Sequence, residues 1–285
     1  MADIFRFNGQ AFEQVPGSLR QISAGTANAV WGINDDARLF RFNNNSNVFD
    51  QVPVSADLQS VSVGQTGDVW ILTTDFEIIR LNSTTGSLED VPGELRQVAA
   101  ASGGFAWGLN AVFDIFLFEN AINKQIAGKL EIISTGPAGN AFGINANSDI
   151  FFSDPDTSEF SQVPGKLSSI SVGEFFPQNN QVQVWGLNPR PQPPGSLIQE
   201  HDIFRLFLHP GGVLEFGQIP GELMVISASA GDVWGINAFH EVFRWNPQAK
   251  GFAGGFDAVP GQQLDAISVG SDAVWGLSNP VTPPR

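Results

Sequence analysis

The sequence has no cysteine, which excludes disulfides and thiolate metal sites without naming a compartment. Tyrosine is absent too, while phenylalanine occurs 24 times in 285 residues. Cationic side chains are scarce, 14 Lys and Arg against 29 Asp and Glu, for a formal net charge of −15. An acidic surface with no Lys/Arg run repels phosphate backbones and anionic headgroups, which argues against nucleic acid and membrane surfaces as partners. No apolar run approaches the ~18 residues a membrane helix needs. The start, Met1-Ala2-Asp3-Ile4-Phe5-Arg6-Phe7, enters a strand-like pattern at once and lacks the basic and apolar segments of a secretory signal. The expected location is the cytoplasm, or outside the cell after release without a classical signal peptide.

Signals for catalysis are equally sparse. The three histidines, His201, His209 and His240, recur in no repeat, and there is no nucleophile elbow, phosphate-binding glycine loop or histidine-rich cluster. Asp154-Pro155-Asp156-Thr157-Ser158-Glu159 has the oxygen density of a calcium loop but lacks its glycine and terminal glutamate. No catalytic residue, metal or cofactor is expected.

What the sequence does have is repetition. An acid, apolar residues and usually Arg recur at Asp3–Phe7, Arg38–Phe42, Glu77–Leu81, Asp114–Phe118, Asp149–Ser153, Asp202–Leu206 and Glu241–Trp245. A Val-Pro-Gly phrase, read as a turn, recurs at Val15, Val91, Val163 and Val259, and in altered form at Val52, Ile126 and Ile219. A Val-Trp-Gly-Ile-Asn phrase is centred on Trp31, Trp70, Trp107, Phe142, Trp185, Trp234 and Trp275. A fourth apolar run, such as Ile170-Ser171-Val172-Gly173, lies between the last two. Four short strands per period of about 40 residues make a propeller blade. The expected fold is therefore all-β, a seven-bladed β-propeller of four-stranded antiparallel blades over 1–285. The chain opens in mid-unit and closes on the other half, so the last blade is expected to take two strands from each terminus, which removes exposed strand edges. The tail 279–285 is expected to be loose, and extra residues at 174–181 and 189–200 to form surface loops.

The repeated residues admit structural and binding roles side by side. The tryptophans read as inter-blade packing, or as sugar platforms where a ring reaches a rim. Arg6, Arg41, Arg80, Arg205 and Arg244 alternate with Phe and read as hydrogen-bond clamps to a neighbouring blade, with ligand binding as the alternative. Asn34, Asn110, Asn145 and Asn237 close their strands as turn residues. The acids Asp3, Glu77, Asp114, Asp149, Asp202 and Glu241 would accept turn amides or sugar hydroxyls. Gln14, Gln51, Gln125, Gln162 and Gln218 recur on the expected outer strand, either as solvated positions or as two-way hydrogen-bonding contacts to a ligand.

In this order and number, the phrases resemble the tectonin family of β-propeller lectins. The matching residues include Val15-Pro16-Gly17-Ser18-Leu19, Ile170-Ser171-Val172-Gly173, Val233-Trp234-Gly235-Ile236-Asn237 and Asp202-Ile203-Phe204-Arg205, and the resemblance runs through the whole chain. It departs in having Phe for the family's Tyr, Phe where Trp often precedes Val-Pro-Gly, and seven units where six are common. The resemblance implies a lectin for glycans or glycoconjugates, O-methylated or bacterial, in recognition or defence, with weak single sites made useful by multivalency. The sites are expected in grooves between blades, lined by the repeated Gln, Asn and acid. Arg38, Val54, Leu117, Ala127, Phe142 and Phe152 depart from the repeat, so fewer than seven intact sites are expected. The alternative is a protein-interaction scaffold.

Overall fold

The computed structural model describes residues 2–119, 122–153, 159–176, 181–191, 200–249 and 254–279. Among the described residues, twenty-eight strands form seven four-stranded antiparallel sheets, each a blade of one propeller. Counted along the chain, blades one to six are 21–52, 58–94, 97–129, 132–166, 169–222 and 225–259. Blade seven is composite: Ala266–Val269 and Val274–Ser278 pair with Ala2–Phe7 and Phe12–Leu19. The antiparallel register Ile4↔Leu277 and Arg6↔Trp275 closes the ring, as the sequence led one to expect. Among the described residues no helix is long and apolar enough to cross a membrane.

In each blade the first strand is innermost and the fourth outermost. The turns joining strands one to two and three to four lie on one face, here the hairpin face. The two-to-three turns and the blade-to-blade links lie on the opposite, connection face.

The recurrent Val-Pro-Gly is not a turn between strands. At Val15, Val91 and Val163 it lies inside the fourth strand, as in Phe12–Leu19 and Phe160–Lys166, where the register shifts by a bulge opposite Asp3/Ile4 and Asp149/Ile150, while at Val259 the strand ends on the Val. Gly17 (φ +116°) and Gly165 (φ +119°) supply a backbone conformation closed to most side chains. Proline is tolerated because this is the outer strand, whose amides need no further ladder partner.

The Leu after each bulge explains the glycine of Val-Trp-Gly. A Cβ on Gly108 would lie 2.4 Å from Leu95 Cδ1, and one on Gly186 2.3 Å from Leu167 Cδ1. Blade two carries Ile71 at this position, and its first strand absorbs the change with a register shift between Leu58 and Ser60.

The repeated tryptophans are fully buried, and all but Trp31, which packs among aliphatic side chains, meet aromatics of the following blade. Trp275 meets Phe42 at 4.6 Å between ring centroids, Trp234 meets Phe7 at 4.8 Å and Trp185 meets Trp245 at 4.7 Å, all edge-on. Such contacts add about 0.5–1.5 kcal/mol to area burial. None of these rings is a sugar platform.

Serines of the innermost strands tie the ring together. Ser23 Oγ accepts the Val63 N–H at 3.0 Å, Ser62 the Ala100 N–H at 3.0 Å, and Ser268 the Ala24 N–H at 2.9 Å, each across a blade boundary. Ser134, Ser171 and Ser227 repeat the bond. Blade three has Ala99 instead, and there Gln97 exchanges two hydrogen bonds with the Ile133 backbone.

One expectation about the insertions needs correction. Residues 174–176 and 181–182 are not loop. They lengthen the first two strands of blade five, Ser169–Phe176 and Gln181–Pro189, because Phe175 and Val182 are apolar at the alternating core positions. Phe175 packs on Phe142 and Phe152 of blade four. The intervening 177–180, most of the second insertion (192–199), the oxygen-rich 154–158 and the tail from 280 lie outside the described residues.

Candidate functional site

The Asn–acid pairs build the two-to-three turns on the connection face. Asn110 Oδ1 accepts the Val112 and Asp114 amides at 3.0 and 2.9 Å, and Asn145 Oδ1 those of Asn147 and Asp149 at 2.9 Å. Asn237 does the same with Phe239 and Glu241, and Asn34 holds the Arg38 amide. The residue before the acid takes positive φ (Ala37, Phe113, Ser148, His240), and Asn anchors this strained corner from inside. The Asn Nδ2 then donates to the acid, at 3.3 Å for Asp114 and Asp149 and 2.7 Å for Glu241.

Most of these acids are therefore engaged. Lys129 Nζ lies 2.7 Å from Asp114 and Lys166 Nζ 2.6 Å from Asp149. Hydrogen bonds from the lysine first, and from the Asn second, hold both carboxyls below the ordinary carboxylate value. Asp202 is held by Arg190, which also reaches Glu200 and Glu222. Arg38, standing where an acid recurs, pairs instead with Asp57 at 2.9 Å.

The repeated glutamines stand apart from these turns. Gln14, Gln51, Gln125, Gln162 and Gln218 are all exposed on fourth strands, opposite Phe5, Phe40, Phe116, Phe151 and Phe204. None has a hydrogen-bonding partner among the described residues. Each lies two residue pairs along the same two strands from its blade's acid position, so the fold separates the Asn–acid turn from the Gln instead of gathering them at one point.

The recurrent arginines differ from their expected role. Each lies across the strand pair from its own blade's Trp, and in four blades the guanidinium lies over the ring: Arg41 over Trp31 at 5.4 Å, Arg205 over Trp185 at 5.4 Å, Arg244 over Trp234 at 5.3 Å and Arg6 over Trp275 at 5.6 Å. Arg244 donates to Asp232 and Arg80 to Glu89, both within the blade. Ring contact reaches the neighbour, as when Arg6 lies 5.5 Å from the Phe42 ring centre. Sequence reasoning placed Arg and Phe on opposite pleats correctly, but the Trp one strand away was not visible to it.

Clefts open where blades meet. On the hairpin face, a cleft of about 660 Å³ between blades six and seven is lined by Arg6, Asn8, Glu13, Gln14, Asp232 and Arg244, among others. A second, of about 490 Å³, includes Asp68, Trp70, Arg80 and Asn82 of blade two and Gly103-Gly104 of blade three. On the connection face, a cleft of about 360 Å³ between blades five and six carries Asn237 with Met224 and Phe239. The central channel is lined by the serine ring, and Gln65 spans it. Among the described residues no three His, Asp or Glu side chains gather as a metal site.

The profile of the tectonin domain matches residues 1–51, 46–192 and 179–280. No curated protein matches the chain in sequence. Solved structures with the same fold include a chain in the crystal structure of Kap60 bound to yeast RCC1 (Prp20), at 8% identity and TM-score 0.71 over 97% of this chain and 88% of that one. Human WBSCR16 is similar at 12% identity and TM-score 0.66, over 98% of both chains. Virginiamycin B lyase from Staphylococcus aureus is similar at 13% identity and TM-score 0.62, over 98% of this chain and 100% of that one. At such identities the likeness is one of fold.

Proposed function

Because the chain belongs to the tectonin family, we propose that it is a multivalent glycan-binding protein without enzymatic activity. The observation that carries this reading is the exposed amide repeated on the outer strands at Gln14, Gln51, Gln125, Gln162 and Gln218. An unengaged carboxamide both donates and accepts, which suits sugar hydroxyls, and repetition around a ring turns weak contacts into avidity. The Asn–acid turns, Asn34, Asn110, Asn145 and Asn237 with Asp114, Asp149, Asp202 and Glu241, are the second set of groups proposed to meet sugar, on the connection face. O-methylated glycans and bacterial surface polysaccharides are the first ligands to test, in recognition or defence, by a protein that is cytoplasmic or released without a classical signal. A glycan array carrying methylated sugars and lipopolysaccharides tests it: binding to a defined subset is expected, and silence across the array would overturn it.

A second reading, a protein-interaction scaffold, has one observation in its favour. Val112, Met224 and Phe239 are exposed apolar side chains on the connection face. A single stoichiometric protein partner that competing sugars do not displace would favour it.

A further inference from the structure

We infer that three of the seven inter-blade grooves are the glycan sites, those between blades six and seven, seven and one, and two and three, and that they take neutral rather than anionic sugars; this rests on the glycan-binding reading above. Each groove has two unlike walls. The leading blade presents its Trp face, and the following blade the face that carries its Phe residues and its Gln.

On the Trp face of four blades, Trp, Arg and an acid lie in register across strands two, three and four. These are Trp275–Arg6–Glu13, Trp31–Arg41–Asp50, Trp70–Arg80–Glu89 and Trp234–Arg244–Asp257. The Asn two residues past the Arg donates to the acid: Asn8 to Glu13 at 2.6 Å, Asn43 to Asp50 at 2.7 Å, Asn82 to Glu89 at 2.9 Å and Asn246 to Asp257 at 2.8 Å. The carboxylate is thereby held in place with lone pairs to spare, beside the guanidinium paired with it across the strands.

The facing wall divides the four. Gln14 faces the strip of blade six, Gln51 that of blade seven and Gln125 that of blade two. Blade two itself offers Asp90 where a Gln would be, so the groove after blade one holds two carboxylates and no facing Gln. The remaining three strips are broken, at Leu117 and Lys124, at Phe152 and Ser161, and at Gly217 beside Arg205. These breaks fall in consecutive blades, so one side of the ring keeps the complete grooves and the other has lost them.

An acceptor carboxylate, a donor guanidinium and a two-way amide match a pair of neighbouring sugar hydroxyls, one donating and one accepting. The strip is electrically balanced within a protein of net charge −15. An anionic sugar would set its charge against Glu13, Glu89 or Asp257, whereas a neutral one meets no such opposition.

The test counts bound sugar by native mass spectrometry, using methyl glycosides of neutral hexoses and N-acetylhexosamines, with the methyl glycoside of N-acetylneuraminic acid as the anionic arm. Three equivalents of a neutral glycoside are expected at saturation. Glu13→Ala should leave two, and Glu13→Ala/Glu89→Ala/Asp257→Ala should weaken binding by more than about ten-fold, with the Glu→Gln and Asp→Asn set confirming the loss if the alanine set melts early. Lys124→Ala/Ser161→Ala should bind like the wild type, while Leu117→Arg/Glu119→Asn/Lys124→Glu, which completes the groove facing Gln162, should add a fourth equivalent. Seven equivalents, tighter binding of the sialoside, or full binding by both triple variants would overturn the assignment while leaving the glycan reading intact. No binding of any sugar on the array or here would overturn both.

Discussion

Gln65, at the end of the innermost strand of blade two, donates its Nε2–H to the Gly173 carbonyl of blade five at 2.7 Å, across the central channel. Its Oε1 accepts the Ala230 N–H of blade six at 3.0 Å. One half-buried amide thus links three blades that are distant in sequence and obstructs the channel that other propellers could leave open. Gln65→Ala removes both bonds and should lower stability by about 1–3 kcal/mol. Gln65→Glu should cost at least as much, because the carboxylate has no donor for Gly173. Urea unfolding checks both.

The serine ring should behave similarly at each boundary. Ser62→Ala strips the Ala100 amide of its partner, and Ser171→Ala that of Ala228. Each should cost about 1–3 kcal/mol, read as a drop in the denaturation midpoint at constant slope. Ala99→Ser should be neutral or stabilising. A midpoint unchanged by Ser62→Ala would show that these contacts do not hold the blades.

Glycine beneath the post-bulge leucine is a steric requirement. Gly108→Ala drives a Cβ to 2.4 Å from Leu95 Cδ1 and should cost about 1–3 kcal/mol. Gly231→Ala, with nothing within 4 Å and no unusual φ, should lie within about 0.5 kcal/mol of wild type. Thermal melts of the pair separate crowding from a general intolerance of alanine.

Trp185→Ala empties the junction between blades five and six, where the ring meets Trp245 and Phe256. A loss of about 3–5 kcal/mol is expected. Because each junction is a local unit of a closed ring, the variant should also speed hydrogen exchange in Val225–Ala228 before that in Gln97–Ala100.

Acid should loosen the connection face in a defined sense. Folding lowers the pKa of Asp114 and Asp149 from the ordinary 3.8, through bonds from Lys129 and Asn110, and from Lys166 and Asn145. A depressed folded-state pKa contributes stability that is present above 3.8 and is lost as pH falls through the lower, folded-state value. Replacing Lys166 and Lys129 by Met should therefore lower the melting temperature slightly at pH 7 and leave it close to wild type in acid, so that the fall below about pH 4 is flatter. An acid limb as steep as that of wild type would contradict this origin.

The fold was legible because it is written seven times. Phrases such as Val-Trp-Gly and Asp-Ile-Phe-Arg alternate apolar and polar residues with the period of a strand, and their order alone returns four strands per blade and a ring closed by its termini. Legibility failed where a local signal met a register effect. Val-Pro-Gly has the chemistry of a turn yet sits as a bulge in an edge strand, and Phe175 belongs to a lengthened hairpin because a neighbouring blade had room to bury it.

The candidate site was half legible. Repetition exposed Gln14, Asn110 and Asp149 as positions that want an explanation. It placed Asn110 and Asn145 in turns, as observed, but could not show that Asp114 and Asp149 are already paired, because their lysines lie 15 and 17 residues away. By itself the sequence determined strand order, blade number and ring closure, all set by periodic patterning along one chain. Which side chains face each other across a groove was decided by tertiary structure alone. Glu13 and Gln51 share a groove only after two blades have twisted and docked, and no spacing along the chain encodes that contact.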